Sequence, residues 1–380
     1  MNRTTRKEES TRLEGTLYMA FELGAKEWNL AFGVEAGQKP RLRTLAAGDL
    51  TGLMLEIRRA KDRFGLLESS RVLSCYEAGR DGFWLHRFLM LEGIVNEVVD
   101  SSSIEVNRRA RRVKTDRVDV EKLLSLLFRF HHGEKKVFGV AHAPTPGQED
   151  ARHWSRELES LKQERTAHTN RLKSLLASVG ARVKVGKDFL QHLAQVKQWN
   201  GESLLPSLRE RLRREGERLA LLESQIREVE RARREEESQL RSPSAEKVRQ
   251  LKKLKGIGDN SAWAFVVEFF GWRQFRNRRE VGCLAGLTPM PYQSGHSINQ
   301  EQGISKAGNR RIRTMAIEIA WGWLRFQPQS QLTLWFKERY GSGNRRSRRV
   351  GIVALARKLL IALWRYLDQG VHPDGAVLKA

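Results

Sequence analysis

Cysteine is nearly absent: Cys75 and Cys283 are the only two in 380 residues. Two thiols exclude a disulfide-stapled scaffold and a zinc site built from cysteines, and they suit a reducing cytoplasm. Long apolar runs are missing too. No stretch of about 18 apolar residues is present to span a bilayer. The basic opening MNRTTRKEESTRLEG lacks the apolar segment and cleavage site of a signal peptide, so residues 1–15 read as a disordered tail. The third shortage is of acids. Asp and Glu number 45 against 69 Lys and Arg, a formal charge of +24 with a pI near 10.5. Such a surplus favours a polyanion through counterion release. Membrane surfaces are polyanions as well, but with no spanning segment the expected partner is nucleic acid. Apolar content of 40% excludes general disorder, and the length allows two or three domains with cores of their own.

Where charge is concentrated, both signs meet. In Val106–Leu124, VNRRARRVKTDRVDVEKLL, six Arg or Lys fall within Arg108–Arg117 and run into Asp116 and Asp119. Three apart on a helix, these aspartates share a face. Oxygen ligands so clustered suit Mg²⁺, or Mn²⁺ in its place, and Arg108, Arg109, Arg111, Arg112 and Lys114 suit a phosphate backbone. The plainer alternative is that the aspartates cap a helix start, where negative charge is favoured. Two further acids stand out: Glu22, inside the otherwise apolar run TLYMAFEL, and Glu77, at the end of VLSCYE. An acid within an apolar strand is expensive without a cation partner. Two cations held by such a cluster could activate a nucleophile and steady a leaving oxygen in phosphoryl transfer.

The pattern divides the chain into three regions. Residues 16–34 predict two strands around a tight turn at Gly24-Ala25-Lys26, with a third strand over Arg41–Leu45. Helices are expected at 49–64, 82–93 and from Asp116 to about Phe130, and strands at 72–77 and Ile94–Val99. An antiparallel start joined to parallel crossovers gives an α/β domain over 16–140 with the ribonuclease H architecture. After a Pro/Gly linker, heptad spacing recurs from Trp154 to Val179 and from Leu205 to Val229. Arg165 and His168 fill slots of the first run and Glu215 interrupts the second. This predicts an antiparallel coiled-coil hairpin over 149–241, its segments joined by about twenty residues, serving as a rigid arm or dimerisation element. A small α-rich domain follows over 245–370. It has a Gly-Ile-Gly turn (256–258) that could seat a phosphate at a helix start, and helices at roughly 308–326 and 350–369. Residues 371–380 read as a tail. Trp263, Trp272, Trp321, Trp323 and Trp364 are expected in the core rather than as base-stacking platforms.

The segment LAGLTPMPYQSGHSINQEQGISKAGNRRIRTMAIEIAW (284–321), with the early acids, resembles transposases of the insertion-sequence family one-ten, in its eleven-eleven branch. The likeness runs from about residue 16 to 370, with the GLTP turn, the SG pair and ISKAGN in order. It implies a Holliday-junction-resolvase-like (RuvC-like) domain, a coiled coil and a C-terminal transposase domain. The family's Asp-Glu-Asp-Asp metal set falls on Glu22, Glu77, Asp116 and Asp119, the first departing from the pattern as Glu. Its nucleophilic serine falls on Ser294, which would form a covalent serine–DNA link; an unactivated hydroxyl is a weak nucleophile, so metal ions held by the acids would activate it. From the residues alone a Ser-Gly pair is an ordinary turn, and Ser297 and Ser305 remain rivals. His296 has no nearby acid to orient it. Lys306, Asn309, Arg310, Arg311 and Arg313 are candidate phosphate contacts, as are Arg345, Arg346, Arg348 and Arg349, for which a solvated basic loop is the alternative. The resemblance further implies DNA partners at the element's ends and target, a noncoding guide RNA, a homo-oligomer (dimer or tetramer), and a bacterial protein acting in the cytoplasm at the nucleoid. Two other readings stay open: a nuclease hydrolysing branched DNA, and a decayed nucleic-acid-binding protein.

Overall fold

The computed structural model describes residues 14–79, 82–104, 116–239, 242–294 and 297–379, without the side chains of 102, 116–118 and 291–302. Two compact units result, Met1–Pro144 and Thr145–Ala380.

The first unit is an α/β fold around a mixed five-stranded sheet ordered β3-β2-β1-β4-β5. Its strands are β1 (Thr16–Leu23), β2 (Glu27–Gly33), β3 (Arg41–Ala46), β4 (Arg71–Glu77) and β5 (Val95–Val99). β1 is antiparallel to β2 and parallel to β4, with Phe21 opposite Leu30 and Tyr76. This is the antiparallel start and parallel continuation expected from the sequence, and it is compatible with a ribonuclease H-like fold. Helices α1 (Leu50–Arg63) and α2 (Trp84–Leu91) cover one face, and α3 (Asp116–His131) covers the other. As the central strand, β1 is buried on both faces. Leu17, Met19 and Phe21 join the α1/α2 cluster, while Tyr18 and Ala20 pack toward α3. Such two-sided burial explains why β1 reads as almost continuously apolar.

The second unit begins with two long helices, α4 (Pro146–Ala177) and α6 (Pro206–Gln239). Thr145 caps α4 by accepting from the Gln148 amide, while the Gln148 side chain accepts from the Thr145 amide in return. The connection from 178 to 205 is longer than expected because it folds back into the packing. Phe189 and Leu193, from α5 (Phe189–His192) and the turn after it, bury against Leu172, Leu176, Leu212 and Leu219. Gly216 permits this, since a Cβ there would lie 2.6 Å from Leu190. Leu158, Leu161, Leu222, Ile226 and Val229 form a separate cluster. Between the two lies the heptad interruption: buried Glu215 accepts from Arg171 at 2.9 Å and pairs with His168 Nδ1 at 2.5 Å. The polar slots of the two helices thus meet each other.

The rest of the second unit packs α7 (Pro243–Lys252), α8 (Asp259–Phe265), α9 (Arg278–Leu284), α10 (Arg310–Phe326), α11 (Gln331–Tyr340) and α12 (Arg345–Gln369) around Phe265, Phe269, Trp323, Leu355 and Leu359. Helix α8 runs on into a π-helical turn, Val266–Phe270. Four features differ from expectation. The α-rich region includes a β-hairpin, β6 (Pro289–Ser294) with β7 (Ser297–Ile304). Helix α12 begins at Asn344, whose side chain caps Ser347 N, so the Arg345–Arg349 cluster lies on its first turn and not in a loop. Residues 371–379 are docked, not a free tail: Lys255 N donates to Val377 O, and Lys379 N to Lys253 O. Trp263, Trp272 and Trp323 are core residues, but Trp321 is exposed.

The His168–Glu215 layer yields a test of the hairpin. Breaking it with His168→Leu alone removes a charge-assisted bond from a buried carboxylate and should destabilise by about 1–3 kcal/mol. The double replacement His168→Leu/Glu215→Leu restores an apolar seam and should be as stable as the parent, or more so by about 1–4 kcal/mol. Urea midpoints distinguish the two. A double variant weaker than the single would mean the charged layer itself stabilises the helix pair.

Candidate active site

All four expected acids have backbone positions at one edge of the first unit. Phe128 of α3 packs on Tyr18 at a ring separation of 4.3 Å, and Cys75 Sγ lies 3.9 Å from the Leu123 carbonyl. Helix α3 therefore runs antiparallel to β1 and β4. Nine helical residues from Phe128 back to Asp119 rise about 13 Å, and four strand residues from Tyr18 to Glu22 advance about the same distance. The first turn of α3 accordingly comes level with the C-terminal ends of β1 and β4. Glu22 and Glu77 occupy those ends, and strand alternation puts both on the α3 face with Tyr18, Ala20, Leu73 and Cys75. Asp116 opens α3, but its side chain lies outside the described residues. So does the basic run Arg108, Arg109, Arg111, Arg112 and Lys114.

These donors are all carboxylates, the hard oxygen ligands suited to Mg²⁺ or Mn²⁺. Among the described residues no three His, Cys, Asp or Glu side chains converge closely enough to ligate one ion. One acid on the same face escaped the sequence reading. Glu97 of β5 lies opposite Cys75, and burial pushes its carboxyl above the usual range against the opposing pull of Lys135. Its signal was of the same kind as that of Glu22: an acid within an apolar strand. Burial pushes the Cys75 thiol far up as well, with Glu97 adding to the shift. That cysteine is a core residue and not a nucleophile.

In the second unit Ser294 ends β6, opposite Ser297 on β7. Neither hydroxyl belongs to the described residues, nor does any part of His296. Ser305, the third rival, follows β7; its Oγ is buried with no hydrogen-bond partner. The base of the hairpin explains the sequence motifs. The GLTP turn and the ISKAGN turn interlock through Asn309 N to Leu284 O at 2.8 Å, Ser305 N to Thr288 O at 2.9 Å and Lys306 N to Gly286 O at 3.3 Å. A Cβ at Gly286 would strike the Ala307 carbonyl, and one at Gly308 the Leu284 carbonyl. Both glycines are also left-handed, at φ +67° and +96°. Lys306, at φ 57°, is the one non-glycine residue with positive φ among the described residues.

Three of the expected phosphate contacts have internal partners. Asn309 caps α10 through Ile312 N and donates to the Glu268 carbonyl. Arg311 pairs with Glu159 at 2.7 Å, and Arg313 donates to the carbonyls of Ala285 and Lys306. Lys306 and Arg310 are exposed. Beneath them Glu268, in the π-helical turn, is buried, which would raise its carboxyl; the bidentate bond from Arg156 on α4 instead holds it below the usual range.

Residues 248–334 match the family described as "Transposase IS116/IS110/IS902 family". The chain is 41% identical over 381 residues to a Sinorhizobium fredii protein named as transposase y4rJ, covering 96% of this chain and 95% of that one. A second protein of that organism, named as transposase y4qE, is 27% identical, covering 80% and 71%. A Pseudomonas aeruginosa protein named as a family 20 transposase is 29% identical, covering 55% and 60%.

Two substitutions test this geometry. Gly308→Ala should destabilise the second unit by about 1–3 kcal/mol or more, from backbone strain added to the collision with Leu284; an unchanged melting curve would mean the interlock yields easily. For Glu97 the folded carboxyl holds its proton more tightly than the unfolded one. The associated stability is present below the unfolded value, about 4.3, and is lost as pH rises through the folded value. Glu97→Gln should therefore raise the melting temperature at neutral pH and leave it nearly unchanged near pH 4.

Proposed function

The chain belongs to the IS116/IS110/IS902 transposase family, and from that premise we propose that it breaks and rejoins DNA through a covalent link to Ser294, with Glu22, Glu77, Asp116 and Asp119 as the metal-holding acids. What supports this reading is the meeting of β1, β4 and the first turn of α3 at one edge, with carboxylates as its donors. A divalent ion, when bound there, supplies Lewis-acid stabilisation of phosphoryl transfer. The protein's own part is nucleophilic. The Ser294 hydroxyl loses its proton to a carboxylate or water as its oxygen bonds to phosphorus. The P–O bond to the departing deoxyribose breaks, and that oxygen takes up a proton. One phosphoester is exchanged for another, so the bond is conserved for rejoining by the reverse attack.

In the same reading the early domain acts as a RuvC-like nuclease unit, α4 and α6 serve as a coiled-coil arm joining copies into a dimer or tetramer, and an element-encoded noncoding RNA pairs with donor and target DNA. The charge of +24 suits a chain that holds both nucleic acids. The shorter expected first acid is replaced by Glu22, whose additional methylene shifts the oxygens without removing their affinity for Mg²⁺.

Denaturing gels of the protein with labelled element-end DNA test the nucleophile. Ser294→Ala should abolish denaturation-resistant adducts and leave DNA binding intact, whereas adducts that persist would move the attack to another residue. Asp119→Ala or Glu77→Gln should lower Mg²⁺-dependent cleavage by about 10²–10³-fold, the range for losing one electrostatic contributor to a transition state. Full cleavage by either variant would sink the metal-site assignment, and cleavage without any adduct would identify water as nucleophile and a hydrolytic nuclease as the activity.

A further inference from the structure

A cleft of about 1280 Å³ opens in the second unit between the base of the β6–β7 hairpin and helices α9, α11 and α12. Among the described residues nine Lys and Arg line it, against one acid, Asp374. Helix α12 alone contributes Arg346, Arg349, Arg357, Lys358 and Arg365. No carboxylate among the described residues pairs with any of the nine. Elsewhere in this chain arginines are bound to glutamates, as at Glu268 and Glu215. Here like charges gather unopposed, and several occupy the first turn of a helix, where the macrodipole disfavours cations. That arrangement is unfavourable unless an anion comes to it.

The lining is not uniformly polar. Leu287, Val353 and Ile361 give it apolar wall, and Trp335 and Tyr340 supply aromatic faces, with Lys358 Nζ 4.5 Å from the Trp335 ring centre. Two polar atoms of lining residues, Ser305 Oγ and Arg357 Nε, are buried without a partner. Lys306, in its left-handed backbone conformation, stands at the rim. The volume exceeds the roughly 300–1,000 Å³ of a site for one drug-sized ligand. Cations for phosphates combined with apolar and aromatic surface for bases describe a site for an unpaired strand; a duplex hides its base faces. One wall is the base of the β6–β7 hairpin, Pro289, Met290, Gly303 and Ile304, whose first strand ends at Ser294.

We propose that this cleft binds a short single-stranded segment of DNA next to the serine hairpin, with phosphates on the α12 arginines and a base against Trp335. The assignment rests on the strand-exchange reading above.

The test uses the full chain and a labelled single-stranded DNA of about twelve nucleotides, within the usual span of single-strand sites. Fluorescence anisotropy across a salt series compares the parent with Arg339→Ala/Arg346→Ala/Arg365→Ala, three exposed positions whose loss should leave the melting curve unchanged. The expected result is binding at least about tenfold weaker, with the salt slope shallower by about 2, from roughly 0.7 for each single-strand phosphate contact. A photoreactive thymine in the strand should crosslink to α11 or α12. Unchanged affinity and slope, or crosslinks confined to other elements, would overturn the proposal. Equal binding of a duplex, tighter binding of RNA of the same sequence, or equal competition by polyglutamate would each overturn the choice of occupant. No cleavage is needed for this assay, so loss of Ser294 adducts with cleft binding intact would count against the strand-exchange reading alone.

Discussion

The three most deeply buried glutamates among the described residues, Glu56, Glu215 and Glu268, are held by arginine, and this pairing organises both units. Leaving a carboxylate in the interior without a cation costs several kcal/mol. Glu56 of α1 meets Arg41 and Arg43 of β3 and Arg59 of its own helix. Glu215 of α6 meets Arg171 and His168 of α4. Glu268, in the π-helical turn, meets Arg156 of α4. The Glu215 and Glu268 pairs join elements distant in sequence, whereas the Glu56 pairs fix α1 to the strand before it. With acids in the minority overall, these internal pairings leave a surplus of cations, and nine of them, among the described residues, line the α9–α11–α12 cleft.

The second constraint is backbone against backbone. Gly286 and Gly308 let two turns approach more closely than any side chain would permit, and the hairpin bearing Ser294 rises from that junction. The most recognisable residues of the chain therefore do two kinds of work. Gly286, Gly308, Asn309 and Arg313 build the frame, whereas Ser294 is offered at its far end. A signature read only as a list of reactive groups would misassign the first kind.

Local physics made much of the first unit legible. Strand alternation in 16–34, the Asp49 cap on α1 and the apolar stripes of α1 and α3 carry their own signals. The β6–β7 hairpin carried none: a two-stranded ribbon rich in Gln and Ser shows no period-two apolar pattern, and its prolines argue against a strand. The α12 arginines looked like a loop because no apolar residue precedes Val350, although Asn344 was a readable cap. The Gly-Ile-Gly turn looked like a phosphate seat, yet Gly258 N donates to Ser261 Oγ and the helix start carries Asp259 paired with Lys252. Within the candidate site, Glu22 and Glu77 were visible as acids on apolar strands, and Asp116 and Asp119 as a pair one helical turn apart beside a basic run. The cleft was not, because its cations come from separate elements and assemble only on folding.

The hairpin of α4 and α6 is also a lever. At about 1.5 Å per residue, 32 residues of α4 reach about 48 Å. The root is pinned by Arg156 to Glu268 and by Arg233 to Asn260 and the Asp259 carbonyl. At the far end Trp199 projects almost fully into solvent while its own amide is tied to Val179 O. From Arg156 to the end of α4 the arm is about 32 Å long, so a tilt of one part in fifty at the pinned end displaces the tip by about 0.6 Å, and repacking around Glu268, whose carbonyl accepts from the α10 cap Asn309, is felt there.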